Sequence, residues 1–137
     1  MKISTALQGV SILFVDTAPV IYLVEKNPTY LDRVETVFAR VDSGQIRAMT
    51  NPITLSECLV HPFKNGLPAL RQDFIDVIIS GANTTFVEID QRVGEEAARI
   101  RAHYNLRLPD SLQLSTALTN GWTLSSPTTC NSSASPN

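Results

Sequence analysis

Three acids stand out by where they fall. Asp16 closes the apolar run Ile12-Leu13-Phe14-Val15, Glu57 lies within the mostly apolar stretch from Leu55 to Leu59, and Asp110 follows Pro109 at the head of another apolar segment. Carboxylates gathered at one place repel one another and need a cation or a proton to coexist. An all-oxygen ligand set selects a hard divalent ion, Mg²⁺ or Mn²⁺. Such an ion lowers the pKa of a bound water and stabilises charge on a phosphate. Each acid also has a plainer use: Asp16 and Asp110 as helix caps, Glu57 as the wet face of an amphipathic helix. The three together, on apolar scaffolding at matching positions, favour a site.

Residues so far apart meet only if the fold gathers them. Ile12 to Val15 is apolar on both faces, as in a buried strand of a parallel sheet. Asp16 then lies at the carboxyl end of that strand, the edge where open α/β sheets collect ligands. Thr17 suits the cap and Pro19 the first turn of a helix running to Glu25. Asn27-Pro28 breaks it. Leu31, Val34, Phe38 and Val41 repeat at helical spacing before Gly44. A second strand falls at 45–49, with Ile46 and Ala48 on one face. Asn51-Pro52 starts a short helix that carries Glu57 and closes at His61-Pro62. Pro68 opens a helix with Leu70, Phe74, Val77 and Ile78 as its buried stripe, ended by Gly81. Thr84 to Ile89 is rich in β-branched and aromatic residues and makes a third strand. Asp90 caps a helix over 91–103 with Val93, Ala97 and Ile100 inward. A last helix starts at Leu108-Pro109-Asp110 and runs through Leu112, Leu114, Ala117 and Leu118. Strands alternating with helices need crossovers, so the fold class is α/β with a parallel sheet flanked by helices.

The 137 residues, 43% of them hydrophobic, suffice for one domain with a core. The net charge of −2 gives no global attraction to nucleic acid, although a bound divalent ion reverses the sign locally. Cys58 and Cys130 form no metal-ligand or redox pattern, so two free thiols in a reducing, cytoplasmic setting are expected. The stretch after Lys2 is interrupted by Gln8 and Gly9 and reaches Asp16 without a cleavage-like site, which argues against a signal peptide. No run is long enough to span a bilayer. The domain is expected over 1–120. Residues 121–137 form an uncharged Ser/Thr-rich tail: no acid follows Asp110 and no base follows Arg107.

Three segments carry a family likeness. Val15-Asp16-Thr17-Ala18-Pro19-Val20-Ile21-Tyr22-Leu23 resembles the first motif of PIN-domain proteins. Thr54-Leu55-Ser56-Glu57-Cys58-Leu59 resembles the second, and the segment from Leu106 through Pro109-Asp110-Ser111 to Ala117 the third. Each motif alone is weak, but the three in order over about 12–120 are specific. The likeness is to the small VapC-type toxins of toxin–antitoxin pairs. It implies a three-layer fold with a central parallel sheet flanked by helices. It also implies a Mg²⁺- or Mn²⁺-dependent endoribonuclease, usually a homodimer, that acts on RNA and is inhibited by a cognate antitoxin. Carried over, Asp16, Glu57 and Asp110 are the catalytic and metal-binding acids. Thr17 and Ser111 adjoin two of them as candidate supporting hydroxyls, with a plain helix-start role as the equal alternative. The family further expects a last strand ending in a fourth acid. Here Thr119-Asn120-Gly121 leads instead into Trp122-Thr123-Leu124-Ser125-Ser126-Pro127, so that strand is expected to be incomplete and the fourth acid missing.

That departure keeps a second reading open: a catalytically impaired PIN-like module that binds an antitoxin or RNA without efficient cleavage. A phosphatase of the haloacid-dehalogenase type also places an aspartate after its first strand, but wants another two residues on, where this chain has Ala18. His61 and His103 adjoin no acid motif and are not expected to act as bases. Arg92, Arg99, Arg101 and Arg107 offer a basic face for RNA phosphates. For Arg99 and Arg101, compensation of the helix dipole explains them equally well. Trp122 suits either a base stack or a core edge.

Overall fold

A computed structural model describes residues 11–120. In chain order these form β1 (Ile12–Phe14), α1 (Thr17–Val24), α2 (Leu31–Asp42), β2 (Arg47–Thr50), α3 (Pro52–Lys64), α4 (Pro68–Ile78), β3 (Thr84–Phe86), α5 (Gln91–Tyr104) and α6 (Leu108–Thr119). The strands pair in the order β1-β2-β3, both pairs parallel, with Phe14 beside Met49 and Met49 beside Thr85. This is the α/β architecture expected, a parallel sheet flanked by helices. The ladder continues past β1, because the Val15 amide donates to the Met49 carbonyl at 2.9 Å. Parallel pairing brings all carboxyl ends to one edge, where Asp16 and Asn51 emerge.

Helix starts follow the caps read from the sequence. The Asn51 side chain accepts from the amides of Ile53 and Thr54, and that of Asp90 from the amide of Val93. The stop after α2 is Gly44 at φ +86°, a conformation that penalises any Cβ. The core packs Val15, Val20, Val41, Ile46, Ala48, Cys58, Phe74 and Ile78 against one another. Farther along the chain, Val93, Ala97, Ile100 and Ala117 are buried on α5 and α6. There the Ser115 hydroxyl donates across to the Val93 carbonyl at 2.7 Å.

Several local expectations are corrected. The α3 helix does not close at Pro62 but runs to Lys64. Proline forfeits the bond to the carbonyl four residues back and crowds that carbonyl; here Pro62 is buried, and the helix continues until the Asn65 amide closes the last turn on the His61 carbonyl at 3.1 Å. The third strand is shorter than 84–89, although the Val87 amide still reaches the Thr50 carbonyl at 2.8 Å. In β1, Ile12, Leu13 and Phe14 are half-buried and only Val15 beyond them is buried. On α6 the leucines that mark the helix in the sequence are not its buried face. Ser111, Gln113, Ser115, Thr116 and Ala117 are buried, whereas Leu118 is 37% exposed. The expected tail over 121–137, with its incomplete strand and Trp122, lies outside the described residues, as do residues 1–10.

Candidate active site

Asp16 leaves β1 in extended conformation and caps α1, its Oδ1 accepting from the Thr17 amide at 2.7 Å. Capping and site-building are therefore one arrangement: the cap fixes a carboxylate that stays exposed at the sheet edge. Thr17, expected at the cap, stands one residue inside the helix. Its hydroxyl is free to point away and donates to Oε1 of Glu57 on α3. Two of the three acids are thus joined through one threonine.

Behind Asp16 lies a buried polar network. Gln113 of α6 is 7% exposed, and its Nε2 donates to Asp16 Oδ1 at 3.0 Å and to Thr54 Oγ1 at 2.9 Å. A carboxylate only accepts, so the NH₂ end of the amide must face Asp16. The Thr54 hydroxyl donates on to the Val15 carbonyl at 3.2 Å. Fully buried Asn51 donates from Nδ2 to Thr116 Oγ1 at 2.8 Å, and that hydroxyl donates to the Leu112 carbonyl at 2.8 Å. The end of β1, the start of α3 and the middle of α6 are stitched together by side chains. Among the described residues one buried atom is left over: Gln113 Oε1 has no hydrogen-bond partner there. An unmatched buried acceptor costs about 1–3 kcal/mol.

Asp110 is placed differently. It lies exposed in the first turn of α6, and its two oxygens accept from Arg107 Nε at 3.1 Å and Nη2 at 3.4 Å. The hydrogen bond and charge of Asp110 hold the Arg107 guanidinium above its ordinary pKa, and the charge of Glu57 adds to this. Arg107 therefore lies in the field of two of the acids. Among the described residues no three His, Cys, Asp or Glu side chains form a group able to hold a metal ion. Ser111 is buried and donates to the Arg107 carbonyl at 3.1 Å, which is the helix-start role rather than a contact with an acid.

Cys58 sits beneath Glu57. Burial pushes its thiol up to about 12, with the charges of Glu57, Asp16 and Glu25 adding in that order. Such a thiol is inert. Cys130 lies outside the described residues. His61 contacts Asn65, and His103 packs edge-on against Tyr104. Of the arginines expected to face RNA, Arg99 is engaged by Glu96, which it holds below the usual carboxylate range. Arg101 donates from Nε to the Leu106 carbonyl at 3.1 Å. Arg92 is exposed.

Sequence reading missed Gln113, Thr54 and Thr116 and saw Asn51 only as a cap. A signal was present: Gln113, Thr116 and Ala117 share one helical face at i, i+3 and i+4. A face that mixes polar residues with alanine is too small for a solvated face and too polar for an ordinary core.

The model of the PIN domain matches residues 13–125, and the chain belongs to that family. PIN domains are generally nucleases and typically use divalent metal ions. A solved toxin–antitoxin complex from Klebsiella pneumoniae contains a chain of similar fold, with a TM-score of 0.59 and 23% identity over 80% of this chain and 79% of that one. No curated protein matches the chain. No helix among the described residues is long and apolar enough to cross a membrane.

The residues fit a divalent ion in chemistry. Asp16 and Glu57 offer oxygen donors alone, are open to solvent and are linked through Thr17. Both hydrogen bonds to Asp16 fall on Oδ1, so Oδ2 has none among the described residues.

Proposed function

We propose that this protein is a metal-dependent endoribonuclease, the toxin of a toxin–antitoxin pair, hydrolysing RNA phosphodiesters. The observation that carries the reading is the Asp16–Thr17–Glu57 linkage at the carboxyl edge of a parallel sheet, inside the segment that matches the PIN family. Asp16 and Glu57 would hold Mg²⁺ or Mn²⁺, and Asp110 would join them once released from Arg107. A divalent ion at such a site supplies activation of water and neutralisation of phosphate charge. The chain's own residues do the rest. Asp16 is oriented by its cap, Glu57 is held by the Thr17 hydroxyl, and Arg107 is a cation placed to meet an RNA phosphate. The partner is a cognate antitoxin, in keeping with the neighbour solved as a toxin–antitoxin complex. Exposed Val60 and Phe63 on α3, each 61% exposed, supply apolar surface for it.

A second reading has a specific observation in its favour. The Asp110 carboxylate already has Arg107 as its counterion, and no three acids are grouped among the described residues. A PIN-like module that binds antitoxin or RNA without efficient cleavage would look like this.

One preparation separates the two. The full chain, co-expressed with its neighbouring gene and then freed of the product, should elute as a homodimer and cut RNA with Mn²⁺ or Mg²⁺. Cleavage should stop with EDTA, with Asp16→Ala, with Asp110→Ala, or when the partner is returned. Cutting that survives EDTA or Asp110→Ala comes from a contaminant or a different mechanism and overturns the metal-dependent assignment to these acids. A folded chain that binds its partner and never cuts supports the second reading.

A further inference from the structure

Gln113 has no part in the chemistry above, yet it is the side chain most committed to Asp16. It reaches Asp16 from 97 residues away, is buried, and spends both identified hydrogen bonds on one nitrogen. A purely structural residue of that size would serve better as an apolar side chain. Methionine would fill the same volume and would not bury an orphan acceptor such as Oε1. The polar choice therefore serves the groups it touches. Thr54 does not need it, because its hydroxyl already donates to the Val15 carbonyl. Asp16 does: without Gln113, its Oδ1 keeps only the Thr17 amide, one point of hold instead of two on a broad terminal torsion.

Resting on the metal-site reading above, we propose that Gln113 is a positioning residue for Asp16: its amide pins Oδ1 from the buried side and leaves Oδ2 as the carboxylate oxygen for a divalent cation. Supporting partners of metal ligands commonly act this way. They orient the ligand without touching the ion, and are worth about 10–100-fold in metal affinity.

The test is calorimetric titration of Mn²⁺ into the full chain, with thermal melts on the same samples. It compares wild type, Asp16→Asn, Gln113→Met and Thr54→Val. Gln113→Met should melt at or above wild type, since it removes the orphan acceptor at constant volume, and should bind Mn²⁺ about 10-fold or more weakly. Thr54→Val should melt lower and bind Mn²⁺ like wild type, because the contact between Gln113 and Asp16 survives. This opposite movement of melting and affinity is the readout a packing role would not give. If Gln113→Met binds like wild type while Asp16→Asn loses binding, the positioning role is overturned and the metal site stands. If wild type and Asp16→Asn bind alike, the metal site falls and takes the proposal with it. Should Gln113→Met not fold, Gln113→Leu is titrated instead, with the same two outcomes.

Discussion

Asp16 and Asp110 are both exposed aspartates at the start of a helix, and they are held by opposite means. Asp16 is gripped by neutral donors, a backbone amide and the Gln113 amide, backed by a buried network from three elements. Asp110 is gripped by a charged neighbour three residues away, in an ion pair that is exposed on both sides. Neutral donors orient a carboxylate and leave its charge to be answered by something else. A guanidinium answers the charge itself. The two aspartates therefore start from different states, one aimed by neutral donors, the other compensated by a guanidinium and loosely aimed.

The largest effect that would test this contrast is on stability. Asn51→Ala removes the acceptor of two helix-start amides and takes one donor from the buried Thr116 hydroxyl, which keeps its own bond to the Leu112 carbonyl, so unfolding free energy should fall by about 1–3 kcal/mol. Asp110→Ala should cost less than about 0.5 kcal/mol, the scale of an exposed pair. Urea denaturation monitored by circular dichroism gives both numbers. Equal losses would erase the distinction.

The parts of the molecule that were legible in the sequence are those fixed by local chemistry. The caps at Asn51 and Asp90, the stripe of α4 and the strands around Val15 and Ala48 follow from periodicity and from residues that act on their own neighbours. The placement of Asp16 and Glu57 at one edge followed from parallel topology. What stayed hidden was long-range and polar. Nothing near Gln113 announces that it will meet Asp16, and the leucines around it drew the apolar reading to the wrong face of α6. The pairing of Asp110 with Arg107 is local, whereas the smaller influence of Glu57 on Arg107 comes from 50 residues earlier in the chain.

The next effect reads burial, and after it charge, near Asp16 and Glu57. Cys58 stays protonated to about 12 in the fold, against an ordinary value of 9.0. Below the ordinary value its contribution to stability is complete. Between about 9 and about 12 the unfolded chain releases a proton that the folded chain keeps, so stability falls with rising pH. The slope is bounded by one proton, about 1.4 kcal/mol per pH unit. Melting curves from pH 8 to 11 should drop more steeply for wild type than for Cys58→Ala. Parallel curves would mean that neither burial nor the neighbouring acids hold the thiol protonated.

The smallest effect sharpens the other end. Removing the built-in counterion by Arg107→Ala should tighten Mn²⁺ binding by about 2- to 5-fold, the worth of an exposed ion pair. RNA affinity should weaken in the same variant. Unchanged Mn²⁺ affinity would take Asp110 out of the metal site.

The reach of the Gln113 amide has a consequence for the order in which the molecule is put together. Its contacts to Asp16 and Thr54 close sequence separations of 97 and 59 residues, and that of Asn51 to Thr116 closes 65. Loops of such length are joined late, after local helices have formed and the chain has collapsed. The strand–helix corner at Asp16 can form early, with the Thr17 amide as the hold on its carboxylate. Only when α6 docks does that oxygen acquire its second donor, so docking of the last described helix completes the hold on the Asp16 carboxylate.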